Sequence, residues 1–385
     1  MSLVIKCQSI TDLLKAMKSH LSDYQVHYPA PDEKGIDRFF SLEHTGKENL
    51  EALESSINQT LFKNQPVLMP PKGFLLPETE YLLRFFRQGD SADFTPEKVE
   101  DQTHVILGIK SCDLSSFNML DEVFLSEPED TRYRKRREQT LTIATPCESE
   151  SIYCFCGKFG VNKHVPSGAD IILVKEDKET ETNHQESSPI YLQAASEKGE
   201  QLLQELIKST EKDSQLADRL EEISDPPPSL KAALGEEVSG VSHSDESSQE
   251  DISLEKTRDR MEELFESPIW DELAMRCLNC GICTYYCPTC HCFDIQDFYR
   301  GQSGTRYRKW DSCMFCNYSE MAAGHNPRMN KKDRLRNRFF HKLNYLPKTN
   351  GIFGCVGCGR CLKHCPVGIS INTVLEKIGG EKVEK

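Results

Sequence analysis

The chain has 385 residues, with 47 Lys and Arg, 61 Asp and Glu, a formal net charge of −14, and 17 Cys. This length predicts two or three domains, and the acidic balance argues against nucleic-acid binding by the whole chain, because the phosphate backbone favours basic proteins. Since the sequence shows neither a secretory signal nor an apolar run that could span a bilayer, we expect a cytoplasmic protein whose reduced thiols bind metal.

Residues 1–175 are predicted to form an α/β domain. The segments QPVLMP, HVILGI, TLTIAT and DIILV are short runs rich in Val, Ile and Leu, which is typical of strands. The segments LPETEYLLRFFRQ and SSFNMLDEVFL have helical periodicity, with Pro77 near one start and Ser115 as a cap. No glycine-rich phosphate loop of the dinucleotide or Walker type occurs, so a usual nucleotide site is not expected.

Residues 176–261 are predicted to be an acidic, partly disordered connector with short helices. Residues 176–260 carry 22 acidic and nine basic side chains and no Cys, so almost all of the net charge lies there. Apolar residues at helical spacing predict one or two surface helices: Leu202, Leu203, Leu206 and Ile207, then Leu216, Leu220 and Ile223. The alternative interpretation is a docking arm for a partner subunit.

Residues 262–385 contain the run C-x2-C-x2-C-x3-C-P twice, at 277–288 and 355–366. Bacterial ferredoxins hold two 4Fe-4S clusters with this run, and the fourth Cys of each run binds the cluster of the other. The spacing predicts a mostly α-helical, ferredoxin-like domain with one cluster on Cys277, Cys280, Cys283 and Cys365 and the other on Cys355, Cys358, Cys361 and Cys287. Zinc is the alternative, although a zinc ribbon needs only two C-x2-C pairs.

The remaining cysteines form two further groups. Cys112, Cys147, Cys154 and Cys156 follow or adjoin predicted strand ends, so they are candidates for a third iron–sulfur cluster at one edge of the sheet. Buried structural Cys and zinc are the alternatives. Cys290, Cys292, Cys313 and Cys316 are candidates for a further four-thiolate site, and Cys7 has no partner in the sequence.

Eleven Lys and Arg lie between Arg300 and Lys342. We interpret this basic strip as compensation for negatively charged clusters or as a surface for an acidic partner. A solvated helix face and an RNA-binding surface are the alternatives, although no aromatic-interleaved RNA module accompanies the strip.

Several stretches together resemble a known family. CLNCGICTYYCPTCHCFDIQD, YRKWDSC, GHNPR, RLRNRFFHKLNY and GCVGCGRCLKHCPVGI resemble the iron–sulfur β subunit of cytosolic, sulfhydrogenase-type NiFe hydrogenases, and are similar also to the iron–sulfur subunit of anaerobic sulfite reductase. VLMPPKGFLLPETEYL and GIKSCDLSSFNMLDEVFL match the same family in the same order. The resemblance covers about residues 65–175 and 262–375, and Cys316 departs from the pattern as an extra Cys.

The resemblance implies an electron-transfer subunit of an anaerobic oxidoreductase complex, and no catalytic site of its own is evident in the sequence. Its relay would run through 4Fe-4S clusters between a flavin subunit that oxidises NAD(P)H and a hydrogenase subunit. Sulfite reductase and a heterodisulfide-reductase-type complex are alternative partners. Two other classes stay open: an RNA-binding regulator that uses the basic strip, and an enzyme whose substrate binds at the N-terminal cysteines.

Overall fold

The computed structural model describes residues 3–149, 151–176, 189–210, 218–236 and 254–380. The chain divides into two compact units, and each is assembled from three separated segments. The first comprises Met1–Pro71, Asp101–Ser115 and Gln139–Gln249, and the second Lys72–Glu100, Ser116–Glu138 and Glu250–Lys385. These interleaved units differ from the consecutive domains expected at 1–175, 176–261 and 262–385, because strands distant in sequence pair with each other within the second unit.

The described part of the chain contains strands and helices in both units. The strands are β1 (Val4–Cys7), β2 (Tyr24–Pro31), β3 (Asp37–Ser41), β4 (Thr79–Gln88), β5 (Ser91–Pro96), β6 (Thr103–Ile109), β7 (Thr140–Ala144), β8 (Ile171–Lys175), β9 (Ile190–Ala194), β10 (Leu220–Glu222), β11 (Phe293–Arg300) and β12 (Ser303–Trp310). The helices are Ile10–His20, Lys47–Leu61, Lys72–Leu75, Ser111–Phe124, Thr131–Glu138, Glu197–Thr210, Pro228–Ala233, Leu254–Glu263, Ile269–Arg276, Ile282–Tyr285, Lys331–Phe340, Leu346–Asn350, Arg360–His364 and Ile371–Gly380, with a π-helical segment at His341–Tyr345 and 3-10 turns at Cys156–Phe159, Cys316–Ser319 and Ala322–Gly324.

An eight-stranded mixed sheet organises the first unit, in the order β10-β1-β9-β8-β7-β6-β2-β3. Strands β2, β6, β7 and β8 are parallel neighbours, and the other pairs are antiparallel. Alternate strand residues such as Ile171 and Leu173 point into one apolar core with the helices Ile10–His20, Lys47–Leu61 and Glu197–Thr210. The prediction of an α/β domain is confirmed, although residues 65–70, expected as a strand, form none.

Part of the predicted connector belongs to this core. Strand β9 lies between β1 and β8, and Leu202, Leu203 and Leu206 are completely buried. The expectation of surface helices was therefore wrong here: the first helix exists but is a core helix, and Leu220 lies in a strand rather than a second helix. The sequence-based expectation of disorder for residues 177–188, 211–217 and 237–253 concerns residues outside the described ones.

The second unit combines helices with a four-stranded antiparallel sheet in the order β11-β12-β4-β5. The expectation of a mostly helical C-terminal domain is not confirmed, because residues 293–310 form a long β hairpin. The predicted helix in LPETEYLLRFFRQ is wrong as well, since β4 pairs there with both β12 and β5. Tyr81, Phe85 and Phe86 suit a strand, and pairing with sequence-distant partners overrides the local periodicity.

Buried charges tie this sheet to a helix of the same unit. The Glu80 carboxylate is almost fully buried and lies 2.6 Å from both Arg132 and Arg136 and 2.5 Å from Arg308. The three guanidinium groups hold the pKa of Glu80 below its usual range, although burial acts in the opposite direction. The charge cluster links β4, β12 and the helix Thr131–Glu138.

Among the described residues, no helix has both the length and the apolar character that crossing a bilayer requires.

Candidate functional site

The two C-terminal cysteine runs fold into loops of the same backbone conformation. Asn279 and Gly357 have positive φ angles of 58° and 62°, and Gly281 and Gly359 have angles of 76° and 75°. Gly281 and Gly359 each directly precede a short helix. A Cβ at Gly281 would lie 2.8 Å from the Phe315 ring. Two left-handed residues in each loop thus give both runs the same tight bends.

Backbone N–H groups point at the sulfur atoms in both loops. The N–H of Asn279 donates to Cys277 Sγ at 3.3 Å, and the N–H of Gly357 donates to Cys355 Sγ at 3.4 Å. The N–H of Ile369 donates to Cys365 Sγ at 3.2 Å. Such bonds stabilise thiolate ligands and raise the potential of an iron–sulfur cluster.

The fourth cysteine of the second run joins the first run. Cys277, Cys280, Cys283 and Cys365 line one cleft, together with the apolar side chains of Met314, Leu335, Phe339 and Ile369 and with Arg338. The four thiols expected to hold one cluster are therefore lined up along a single apolar cleft. This cleft places Cys365, from the second run, beside the three closely spaced cysteines of the first run.

The other four expected ligands also lie together. Burial, together with the charges of Cys287 and Cys361, raises the pKa of Cys358 to about 12, although Arg360 acts in the opposite direction. Burial also raises the pKa of Cys355, where Cys361 and Cys287 contribute in the same direction. Cys287 thus lies within electrostatic reach of three cysteines from the other run. Buried thiols of this kind become thiolates readily only when a metal stabilises the negative charge.

Buried cations surround these cysteines. Arg338 donates to the Cys283 carbonyl at 2.8 Å, and Lys342, in the π-helical segment, donates to Thr289 Oγ1 at 2.8 Å and to the Gly354 carbonyl at 2.6 Å. Lys72 donates to the Cys290 carbonyl at 2.7 Å and lies 4.3 Å from the centre of the Trp310 ring. All three side chains are about 2% exposed.

These cations fit bound, negatively charged iron–sulfur clusters. Burial disfavours the charged form of Lys342, but the thiolates of Cys287 and Cys290 outweigh this effect and raise its pKa. The Nε of Arg338 is buried with no hydrogen-bond partner among the described residues. An unpaired buried charge costs several kcal/mol, so anionic clusters would supply the compensation that neutral thiols cannot.

The basic strip is not a uniformly solvated helix face. Four of its eleven members, Arg308, Arg334, Arg338 and Lys342, are at most 8% exposed. Arg308 belongs to the Glu80 charge cluster, and Arg334 donates to the carbonyls of Met314 and Met329. Charge compensation by the strip therefore applies to Arg338 and Lys342 near the cysteines.

Cys290, Cys292, Cys313 and Cys316 do not form one group. Cys290 is hydrogen-bonded to Cys287, whereas Cys292 is hydrogen-bonded to Cys313 and to Tyr318. Cys316 is exposed, and its Sγ lies 3.9 Å from Asn326 Nδ2. The structure thus separates Cys316 from the other three thiols and pairs Cys292 with Cys313.

Two of the N-terminal cysteines, Cys112 and Cys147, lie near another buried lysine, in the first unit. Cys112 and Cys147 follow the carboxyl ends of the parallel neighbours β6 and β7. Lys110 donates to the Leu61 carbonyl at 3.0 Å and to Thr145 Oγ1 at 2.8 Å; burial lowers its pKa, and Cys147 and Cys112 oppose this effect. The pKa of Cys147 is raised mainly by burial. The charge of Lys110 opposes this increase, and the charge of Cys156 adds to it. Two of the four candidate ligands, Cys112 and Cys147, therefore lie near Lys110, and Cys156 lies near Cys147.

Sequence reasoning missed the buried lysines Lys72 and Lys110. Lys110 lies at the end of a strand, two residues before Cys112. This position in the sequence could have identified it as part of the candidate site. Lys72 had none, since its partners are more than 200 residues away. None of the 17 cysteines forms a disulfide. Within the described ranges, no three His, Cys, Asp or Glu side chains are placed to hold a single metal ion.

Comparison with known proteins adds two findings. Residues 276–369 match the family described as 4Fe-4S dicluster domain. Sulfhydrogenase 2 subunit beta of Pyrococcus furiosus is 29% identical over 329 residues, which are 84% of this chain and 87% of that protein. No solved structure matches the chain. The two matches confirm the resemblance to sulfhydrogenase-type iron–sulfur β subunits, and they establish two 4Fe-4S clusters as the cofactors of the C-terminal part.

Proposed function

We propose that this chain, an iron–sulfur protein of the sulfhydrogenase β-subunit type, is the electron-transfer subunit of a cytoplasmic hydrogenase-type complex. It would link a flavin subunit that uses NAD(P)H to a hydrogenase catalytic subunit. The observation that carries the proposal is the cleft that Cys365 shares with Cys277, Cys280 and Cys283. In the assignment that we propose, the runs exchange their fourth cysteines, which brings the two cluster sites close together, as a relay requires.

We assign the ligands by this crossing. Cys277, Cys280, Cys283 and Cys365 would hold the first cluster, and Cys355, Cys358, Cys361 and Cys287 the second. When bound, the clusters supply one-electron redox chemistry. The chain's own contribution is to bury the thiolates, donate N–H bonds to their sulfurs and place Arg338 and Lys342 beside them. Each of these features shifts a cluster potential.

We further propose a third iron–sulfur site at Cys112, Cys147, Cys154 and Cys156. Cys112 and Cys147 lie near the buried Lys110, whose charge an anionic cluster would compensate, and Cys156 lies near Cys147. The anaerobically purified chain should contain about twelve iron atoms if this site is filled, and about eight if only the two C-terminal clusters are present. Replacing Cys147 by alanine should reduce the iron content from about twelve to about eight atoms per chain. The control Cys316→Ala should leave the iron content unchanged. About eight iron atoms in the wild-type chain would contradict a third 4Fe-4S cluster.

Isolating the native complex anaerobically and identifying its subunits tests the proposed function. We expect a flavin subunit to co-purify with this chain, together with the catalytic subunit of a NiFe hydrogenase. A co-purifying sirohaem protein would instead indicate a sulfite reductase complex. A co-purifying heterodisulfide-reductase subunit would indicate a heterodisulfide-reductase-type complex. Salt-sensitive RNA binding, with no oxidoreductase partner, would overturn the relay in favour of a regulator.

A further inference from the structure

A pair of thiols beside the second cluster site has no role in the ligand assignment above. Cys292 precedes strand β11, and Cys313 lies three residues beyond strand β12. The N–H of Asp311 donates to the Cys292 carbonyl at 2.9 Å and extends the hairpin ladder by one step. The pairing of β11 with β12 thus fixes the two cysteines on adjacent chain segments.

The two side chains are in direct contact. The Cys292 and Cys313 thiols are hydrogen-bonded to each other, and Cys292 also accepts hydrogen bonds from the Cys313 N–H and the Tyr318 hydroxyl. Cys313 is 8% exposed. Two cysteines held at hydrogen-bonding distance on a rigid hairpin end need little movement to form a disulfide.

The pair also lies close to the expected ligands. Cys313 is within electrostatic reach of Cys290, and Cys290 is hydrogen-bonded to Cys287. A continuous series of thiols therefore runs from the pair to a residue that we assign to the second cluster. Cys316 stands apart from this series, because it is exposed and contacts Asn326.

We propose that Cys292 and Cys313 are a redox-active dithiol–disulfide couple that exchanges an electron pair with the two clusters. On oxidation, both S–H bonds break, one S–S bond forms, two protons leave to solvent, and each of the two oxidised 4Fe-4S clusters accepts one electron. Reduction reverses every step. The couple would store two electrons, whereas each cluster carries one. The inference rests on the proposed relay for its electron source.

The electrostatics of the pair agree with this role. The hydrogen bond with Cys313 lowers the pKa of Cys292 to about 6, although burial acts in the opposite direction. A thiol with a lowered pKa is the better attacking or leaving group in disulfide chemistry.

Differential alkylation of the full, cluster-loaded chain tests the proposal. One sample is oxidised and a second is reduced with dithionite. Each is quenched in acid, alkylated with a maleimide, digested and mapped by mass spectrometry. We expect a Cys292–Cys313 linked peptide in the oxidised sample and two alkylated cysteines in the reduced one. Full alkylation of both Cys292 and Cys313 in the oxidised sample would overturn the proposed couple. The experiment uses the wild-type chain, so its result does not depend on whether a variant folds.

Electron counting provides the second readout. Reductive titration of the wild-type chain should consume about two electrons more than titration of Cys292→Ser, since the couple takes two. Cys316→Ser is the matched control and should behave as wild type. An equal electron count, or a loss of iron or zinc from Cys292→Ser, would show that the pair is not a redox couple. If no flavin or hydrogenase subunit co-purified with this chain, the proposed relay would be overturned but the dithiol–disulfide couple would not. The linked peptide is detected in this chain whether or not those partners are present.

Discussion

Replacing Cys365 by alanine should remove the cluster that the first cysteine run holds, and with it about four iron atoms per chain. The physical reason is the crossing: Cys365 belongs to the second run in sequence but lines the cleft of Cys277, Cys280 and Cys283. Iron analysis together with EPR spectroscopy of the dithionite-reduced chain measures the loss.

Comparing variants identifies the cluster that is lost. Cys365→Ala should give the same residual EPR spectrum as Cys277→Ala, and Cys287→Ala the same as Cys355→Ala. Cys316→Ala is the matched control, because this exposed cysteine lies outside both sets. A Cys365→Ala spectrum that matched Cys355→Ala would contradict the crossing and assign each run its own cluster.

Replacing Arg338 by glutamine should lower the reduction potential of at least one C-terminal cluster by on the order of 90 mV. The guanidinium stabilises the more negative, reduced state, so its removal favours the oxidised state. At an effective dielectric constant of about 20, unit charges about 8 Å apart interact by about 2 kcal/mol. For a one-electron step about 1.4 kcal/mol corresponds to about 59 mV, which gives this magnitude. Potentiometric titration followed by EPR measures the shift.

Two controls separate charge from structure at this position. Arg338→Lys retains the cation and should keep most of the wild-type potential, although it loses the planar donor to the Cys283 carbonyl. Lys348→Gln removes an exposed cation, whose field water and salt screen, and should leave both potentials unchanged. Equal shifts for Arg338→Lys and Arg338→Gln would show that packing, rather than charge, sets the potential.

Much of the cluster site could be predicted from the sequence, because the ligands of a 4Fe-4S dicluster recur at fixed short spacings. The same holds for β6, β7 and β8, whose Val- and Ile-rich runs are buried on both faces of a parallel sheet. These features depend on neighbours in sequence or on uniform burial. Local pattern was sufficient for them.

The rest depended on contacts between distant residues. The segment 79–88 has helical periodicity, yet it forms a strand because β12, more than 200 residues later, pairs with it. Strand β9 follows an acidic stretch whose composition suggested disorder, but its own five residues are apolar enough to fill the sheet between β1 and β8. Lys72 looks like an ordinary surface cation until folding buries it at Cys290.

Hydrogen evolution by the native complex tests the relay most directly, when NAD(P)H and reduced methyl viologen are compared as electron donors. The viologen reduces a hydrogenase subunit without the relay, whereas in the proposed relay electrons from NAD(P)H pass through this chain. A complex that contains Cys365→Ala should lose most of its NAD(P)H-driven hydrogen evolution and keep the viologen-driven rate. An unchanged NAD(P)H-driven rate in a complex that has lost the corresponding iron would contradict the relay.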